Sequence, residues 1–155
     1  MLFHVVGFKL ENVMCDVLHC CDLGVTSHFV ASLLWYYTVI RCVLGAGTMV
    51  LKVSRLNQRI QKWYRDKNVD YRIHEAITVE TLRQTPSSYT KLRAKAAATR
   101  RLAIFALEFA LSFAGASTDD VDVTITECAS LLVRFYEVMS EASQFFREAA
   151  KAEFR

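Results

Sequence analysis

The sequence predicts a mainly α-helical single domain: four main helices in a bundle-like packing, led by a short N-terminal strand or extended arm. Three observations point there. The 155 residues include one proline and five glycines, too few for a turn-rich β fold or for disorder. Apolar residues recur at spacings of three and four over long stretches of the chain. Residues 103–113 are apolar on nearly every side, the pattern of a helix enclosed by others. A chain of this length buries roughly 70% of the surface its unfolded form exposes, so one core suffices without a staple. The expected division is 1–25 for the strand or loop arm and 26–155 for the helical body.

Residues 2–8 are short and rich in β-formers, which predicts a strand. The apolar run from Phe29 to Val53 has the length of a membrane span. It contains Arg41 near its middle, Gly45 and Gly47 just after, and Lys52 at its end, which are costly or disruptive in lipid. The run therefore predicts a buried helix over Thr26–Leu44 with Thr26 or Ser27 as N-cap, and membrane contact through residues 29–51 stands as the alternative.

After the glycine break, Thr48 can cap a second helix to about Asp66. Met49, Val53, Leu56, Ile60, Trp63 and Tyr64 share one face of it, while Lys52, Arg55, Arg59, Lys62 and Arg65 form a basic stripe on another. Residues 67–90 are polar and contain Pro86-Ser87-Ser88, so they read as a connection with a short helix at Thr78–Arg83. The third helix, Ser88–Ala114, opens with Lys91, Arg93, Lys95, Arg100 and Arg101, becomes the central apolar segment, and leaves Glu108 in need of a partner. Gly115 ends it. Ser117-Thr118-Asp119-Asp120 then caps a fourth helix whose apolar stripe is Val121, Ile125, Cys128, Leu132, Phe135, Met139 and Phe146.

Five cysteines, with Cys20 and Cys21 adjacent and no signal-peptide pattern ahead of them, predict a reducing, intracellular setting rather than a disulfide framework. The net charge is +3, but the charges are segregated. Residues 41–101 hold 14 Lys/Arg against 4 Asp/Glu, and residues 108–155 hold 4 against 9. A basic middle and an acidic end either attract each other within the fold or leave a polyanion site on one side.

Three constellations bear on chemistry. Cys15, His19, Cys20, Cys21 and His28 supply soft ligands, but no C-x-x-C pair and no second pair at finger distance, so structural zinc is disfavoured. Asp16 and Asp22 suit a hard cation such as magnesium (Mg2+), with Asp119, Asp120 and Asp122 as further carboxylates; capping of the fourth helix explains those three more economically. Two basic helical surfaces near Trp63 and Tyr64 suit phosphate contacts: Lys52, Arg55, Arg59 and Lys62 on one, Lys95, Arg100 and Arg101 on the other. A Walker loop, a glycine-rich dinucleotide turn and a G-x-S-x-G elbow are all missing from the sequence, which lowers the standing of those enzyme classes.

Asp16-Val17-Leu18-His19, followed by Leu23-Gly24 and His28, resembles a D-x-[ML]-H-x-x-x-L-G-x-x-x-H segment of cut-and-paste transposases of the DDE/D class and of reading frames derived from such transposons. Residues 90–102, with Lys91, Arg93, Lys95 and Arg100 among alanines, are loosely similar to a downstream helical segment of the same frames. Together these cover about a fifth of the chain. The resemblance implies an RNase H-like strand at Phe3–Phe8 or Val13–Cys15, Asp16 as a metal-binding carboxylate with His19 beside it, helices belonging to an insertion domain, and action in the nucleus. The sequence departs from the family at Ala98, where an acid is expected, and in having 15 residues before Asp16, too few for the preceding strands and first catalytic aspartate. The expectation is a transposase-derived fragment with residual nucleic-acid affinity and an incomplete carboxylate triad, hence no strand transfer of its own. The alternative is a helical protein–protein interaction or assembly subunit, as a homo-oligomer or with another partner.

Overall fold

The computed structural model describes residues 18–114 and 119–141. All of its regular structure is helical: α1 (Leu18–Ile40), α2 (Met49–Asp66), α3 (Val79–Leu82), α4 (Ala96–Ala114) and α5 (Asp120–Glu141). The strand expected at residues 2–8 lies outside the described residues, as do Asp16, Gly115 and Phe146.

The first helix begins earlier than its sequence suggests. Instead of an arm to residue 25 and a cap at Thr26 or Ser27, Leu18–Thr26 is wound as a wide, π-type turn that continues into an α-helix at Ser27–Trp35 and a second π-type turn at Tyr36–Ile40. Thr26 has helical angles and makes no side-chain cap. Its hydroxyl is instead drawn to a distant partner, the Tyr136 hydroxyl at 2.6 Å. The bend falls at Gly24 (φ −94°, ψ −106°), where a Cβ would come within 3.0 Å of the His19 carbonyl oxygen. The Ser27 hydroxyl, 2.8 Å from both the Leu23 and Gly24 carbonyls, satisfies the backbone freed there.

α1 ends at Ile40, and residues 41–48 reverse the chain, so the run 29–51 is two helices separated by a turn. By length and composition Leu18–Ile40 could cross a membrane, yet half of its most apolar window is buried inside the fold, together with the polar groups of Asp22, Thr26, Ser27 and Thr38. Gly45 (φ +95°) sits in the left-handed region that the reversal needs. Arg41 pairs with Asp119 at 3.1 Å and with the fully buried Asp122 at 3.2 Å, joining the end of α1 to the start of α5. The cation that made a membrane span unattractive thus acts as a counter-ion.

α2 runs as its sequence dictates. The Thr48 hydroxyl accepts from the Leu51 N–H as N-cap, and Val53, Leu56, Ile60 and Tyr64 face the core. α3 occupies Val79–Leu82 with Thr78 and Thr81 in a reciprocal capping arrangement.

α4 starts at Ala96 rather than Ser88, because residues 91–93 are held by tertiary backbone bonds. The Lys91 N–H donates to the Leu82 carbonyl, that of Leu92 to Ser27 and that of Arg93 to Thr81, all within 3.0 Å. α4 then packs against both α1 and α5 and fills the centre with Leu102, Ala103, Phe105, Ala106, Phe109 and Ala110. Phe105, Phe109 and Phe113 form a row with centroids 5.1–5.5 Å apart, and Tyr37 of α1 meets Phe109 edge-on at 6.2 Å.

α5 is turned relative to its apolar stripe. Asp122, Ala129 and Tyr136, spaced by sevens, are buried, whereas Val121 and Cys128 of the expected stripe are exposed and Leu131 is 71% exposed. The side that faces inward carries the groups that pair with Arg41, Asp22 and Thr26.

Candidate nucleic-acid interface

The four α2 cations singled out for phosphate contact, Lys52, Arg55, Arg59 and Lys62, divide by their place along the helix. Near its start, Lys52 Nζ donates to the Val39 carbonyl (3.3 Å) and lies 3.0 Å from Cys42 Sγ, while Arg55 Nη1 donates to the carbonyls of Leu44 (3.1 Å) and Ala46 (2.9 Å). Both satisfy the loose carbonyls where α1 ends, so they lock the reversal between α1 and α2. One turn further on, Arg59 is exposed, with its guanidinium 5.5 Å from the Phe113 ring centre. Lys62 is exposed beyond it.

On α4, Lys95 just before the helix and Arg101 within it are exposed. Arg59, Lys62, Lys95 and Arg101 make no ion pair with any described residue. The basic stripe therefore does not fold back onto the acidic α5, whose carboxylates engage Arg41 and Arg134.

Arg59, Lys62 and Arg101 follow a band of three linked hollows, and Lys95 borders a separate one. Arg59 and Lys62 border a groove between α2 and α4 that holds Trp63 and Phe105. Trp63 is shared with the next hollow, which runs to Lys67 and Arg101. Arg101 in turn lines a cleft between α4 and α5 with Tyr71 and Arg100. Around the start of α4, Arg72, Arg93 and Lys95 border a further hollow. Five carboxylates, Asp66, Asp70, Glu75, Glu108 and Glu137, interrupt these hollows. Glu108, for which the sequence demanded a partner, accepts from Trp63 Nε1 at 2.9 Å and pairs with Lys67 at 3.5 Å. Lys67, Tyr71 and Arg72 were missed by a reading based on helical stripes because they sit in the connection after α2, where only the regional excess of positive charge signals them.

Arg100 stands apart. Its Nη2 donates to Asp22 Oδ2 at 2.6 Å, and its guanidinium lies 5.0 Å from the centre of the Tyr136 ring. The Tyr136 hydroxyl donates to Asp22 Oδ1 at 2.6 Å. Asp22, a magnesium candidate in the sequence, is instead the buried anchor joining α1, α4 and α5, with its side chain only 1% exposed. Its partners occupy both carboxylate oxygens. His19 is exposed, and Asp16, the other half of the proposed metal pair, lies outside the described residues. Among the described residues no three histidine, cysteine, aspartate or glutamate side chains gather around a common point. His28, the last position of the transposase-like segment, donates from Nδ1 to the Thr90 carbonyl at 2.8 Å and so pins the connection before α4.

Burial, and then the hydrogen bond to Asp22, push the Tyr136 hydroxyl well above the ordinary tyrosine range. Burial, followed by the nearby charge of Asp122, raises Tyr37 to about 12, and burial raises Tyr64. A folded-state pKa above the unfolded value of 10.0 means that the unfolded chain releases these protons first as pH climbs. The associated stability is complete below pH 10 and is lost as pH rises towards 12 and beyond. Urea titrations should show a level unfolding free energy below that window and a fall within it of up to about 1.4 kcal/mol per pH unit for each tyrosine kept neutral by the fold. Tyr136→Phe should make the fall shallower.

Family models, curated proteins and solved structures were all compared with this chain, and none of them matches it.

Proposed function

We propose that this chain is a helical nucleic-acid-binding domain, derived from a transposase-type reading frame, that holds phosphates along the band from Arg59 and Lys62 to Arg101 and at Lys95. The observation that carries the reading is that these four cations are exposed and have no ion-pair partner among the described residues, while Lys52 and Arg55 are engaged in the α1–α2 reversal. Tyr71, 59% exposed, and the half-buried Trp63 offer aromatic surface beside them. The transposase-like segment from Asp16 to His28 supports the derivation, and a nuclear site of action follows from it. Strand cleavage is no part of the proposal, and magnesium enters only through Asp16.

Fluorescence anisotropy with labelled DNA at rising salt tests this. Affinity should fall steeply with salt, and Lys62→Glu or Arg101→Glu should weaken binding across all sequences and reduce the salt slope by about one for each phosphate contact removed. No binding at low salt removes the proposal.

The second reading, a protein-assembly subunit, is favoured by apolar side chains left outside the core at the α1–α2 reversal. Ile40 is 63% and Val50 71% exposed there, with Met49 and Leu51 both at 45%. Sedimentation of the purified chain across a concentration series distinguishes this reading by its oligomeric state.

A further inference from the structure

The α4–α5 cleft is built differently from the rest of the basic band. It is a partly open hollow of about 270 Å³, just below the usual span of ligand sites, with Arg100 and Arg101 on its α4 wall and Glu137 and Ser140 on its α5 wall. Ile104 and Val133 give it an apolar floor, and Tyr71 stands at its mouth. Arg100 is oriented before any ligand arrives: Asp22 takes one of its nitrogens, the Tyr136 ring supports its plane, and 45% of the side chain remains open. A ligand that satisfies both walls needs an anionic group for the arginines, a flat apolar body for the floor and Tyr71, and a donor for the Glu137 carboxylate, which is 55% exposed and meets Arg134 through one oxygen at 3.5 Å.

We propose that this cleft binds one unstacked nucleotide unit whose base carries an exocyclic amine, with its phosphate on Arg100 and Arg101, its ring against Tyr71, and its amine towards Glu137. The proposal rests on the nucleic-acid reading above and adds to it a preference for single strands, because a base inside a duplex cannot enter the cleft. The same unit is presented by a free mononucleotide and by a flexible strand.

Isothermal titration of the full chain with cytidine and uridine monophosphates tests the cleft directly, since the two differ at the position facing Glu137. Cytidine monophosphate should bind about tenfold more tightly than uridine monophosphate, the scale of one well-placed base contact. Ala97→Trp, at an exposed position on the cleft wall, fills the space without removing any charge and should abolish that binding. Should its melting temperature fall, Tyr71→Ala at the mouth serves the same purpose and should weaken binding several-fold. Titration with single-stranded oligo-dC and with duplex DNA separates the sources: preference for the single strand, lost in Ala97→Trp, places the unit within a strand, whereas binding of the free nucleotide alone assigns the cleft to a small metabolite. No binding of cytidine monophosphate, or binding unchanged by Ala97→Trp, overturns the cleft. If duplex DNA still binds with a steep salt dependence in that case, the surface reading survives without it.

Discussion

Asp22→Ala should lower the unfolding free energy by about 3 kcal/mol, a shift of roughly 10 °C in melting temperature for a chain of this size. The carboxylate accepts two hydrogen bonds of 2.6 Å, from Arg100 and Tyr136, and is almost entirely buried. Removing it leaves the Tyr136 hydroxyl inside the fold with only Thr26 as partner and the Arg100 cation without its counter-ion. Breaking a buried ion pair costs about 3–5 kcal/mol, and the lower end applies because the Arg100 side chain is 45% exposed and regains water. Asp22→Asn keeps an acceptor for Tyr136 and should lose about half as much. Chemical denaturation measures both, and an alanine variant within about 0.5 kcal/mol of the parent would show that the network does not hold the three helices together.

Phe109→Ala should cost about 3–5 kcal/mol, the usual range for deleting a buried aromatic ring. Phe109 is 3% exposed and lies between Phe105 and Phe113, with Tyr37 at its edge and the Arg59 guanidinium 5.9 Å from its ring centre. The rings around it are themselves packed on α1 and α2, so little can collapse into the space. Phe109→Leu, which retains most of the volume, should recover more than half of the loss. If both variants unfold at the parent's denaturant midpoint, the aromatic row is not the core of the domain.

Local patterning made α2 legible. Thr48 as cap, the buried face from Val53 to Tyr64 and the short helix at Val79–Leu82 all follow from neighbours within one or two turns. The starts of α1 and α4 were hidden because distant partners set them: Thr26 turns to Tyr136 instead of capping, and Leu92 and Arg93 use their backbone on Ser27 and Thr81. The rotation of α5 was hidden for a related reason. A hydrophobic stripe marks Val121 and Cys128, but Asp122 and Tyr136 face inward because Arg41 and Asp22 await them.

The same limit applies to the basic surface. Spacing grouped Lys52 and Arg55 with Arg59 and Lys62, and only the position of the α1–α2 reversal separates cations that close a loop from cations that face solvent. Asp22 passed for a metal ligand since a carboxylate between cysteines and histidines gives no sign of an arginine located 78 residues away.

That long separation also orders events during synthesis. Tyr136 lies 114 positions downstream of Asp22, so at about 5–20 residues per second the ribosome takes about 6–23 seconds to deliver the group that completes the cluster. Throughout that interval the apolar segment Leu18–Ile40 waits without its final cover.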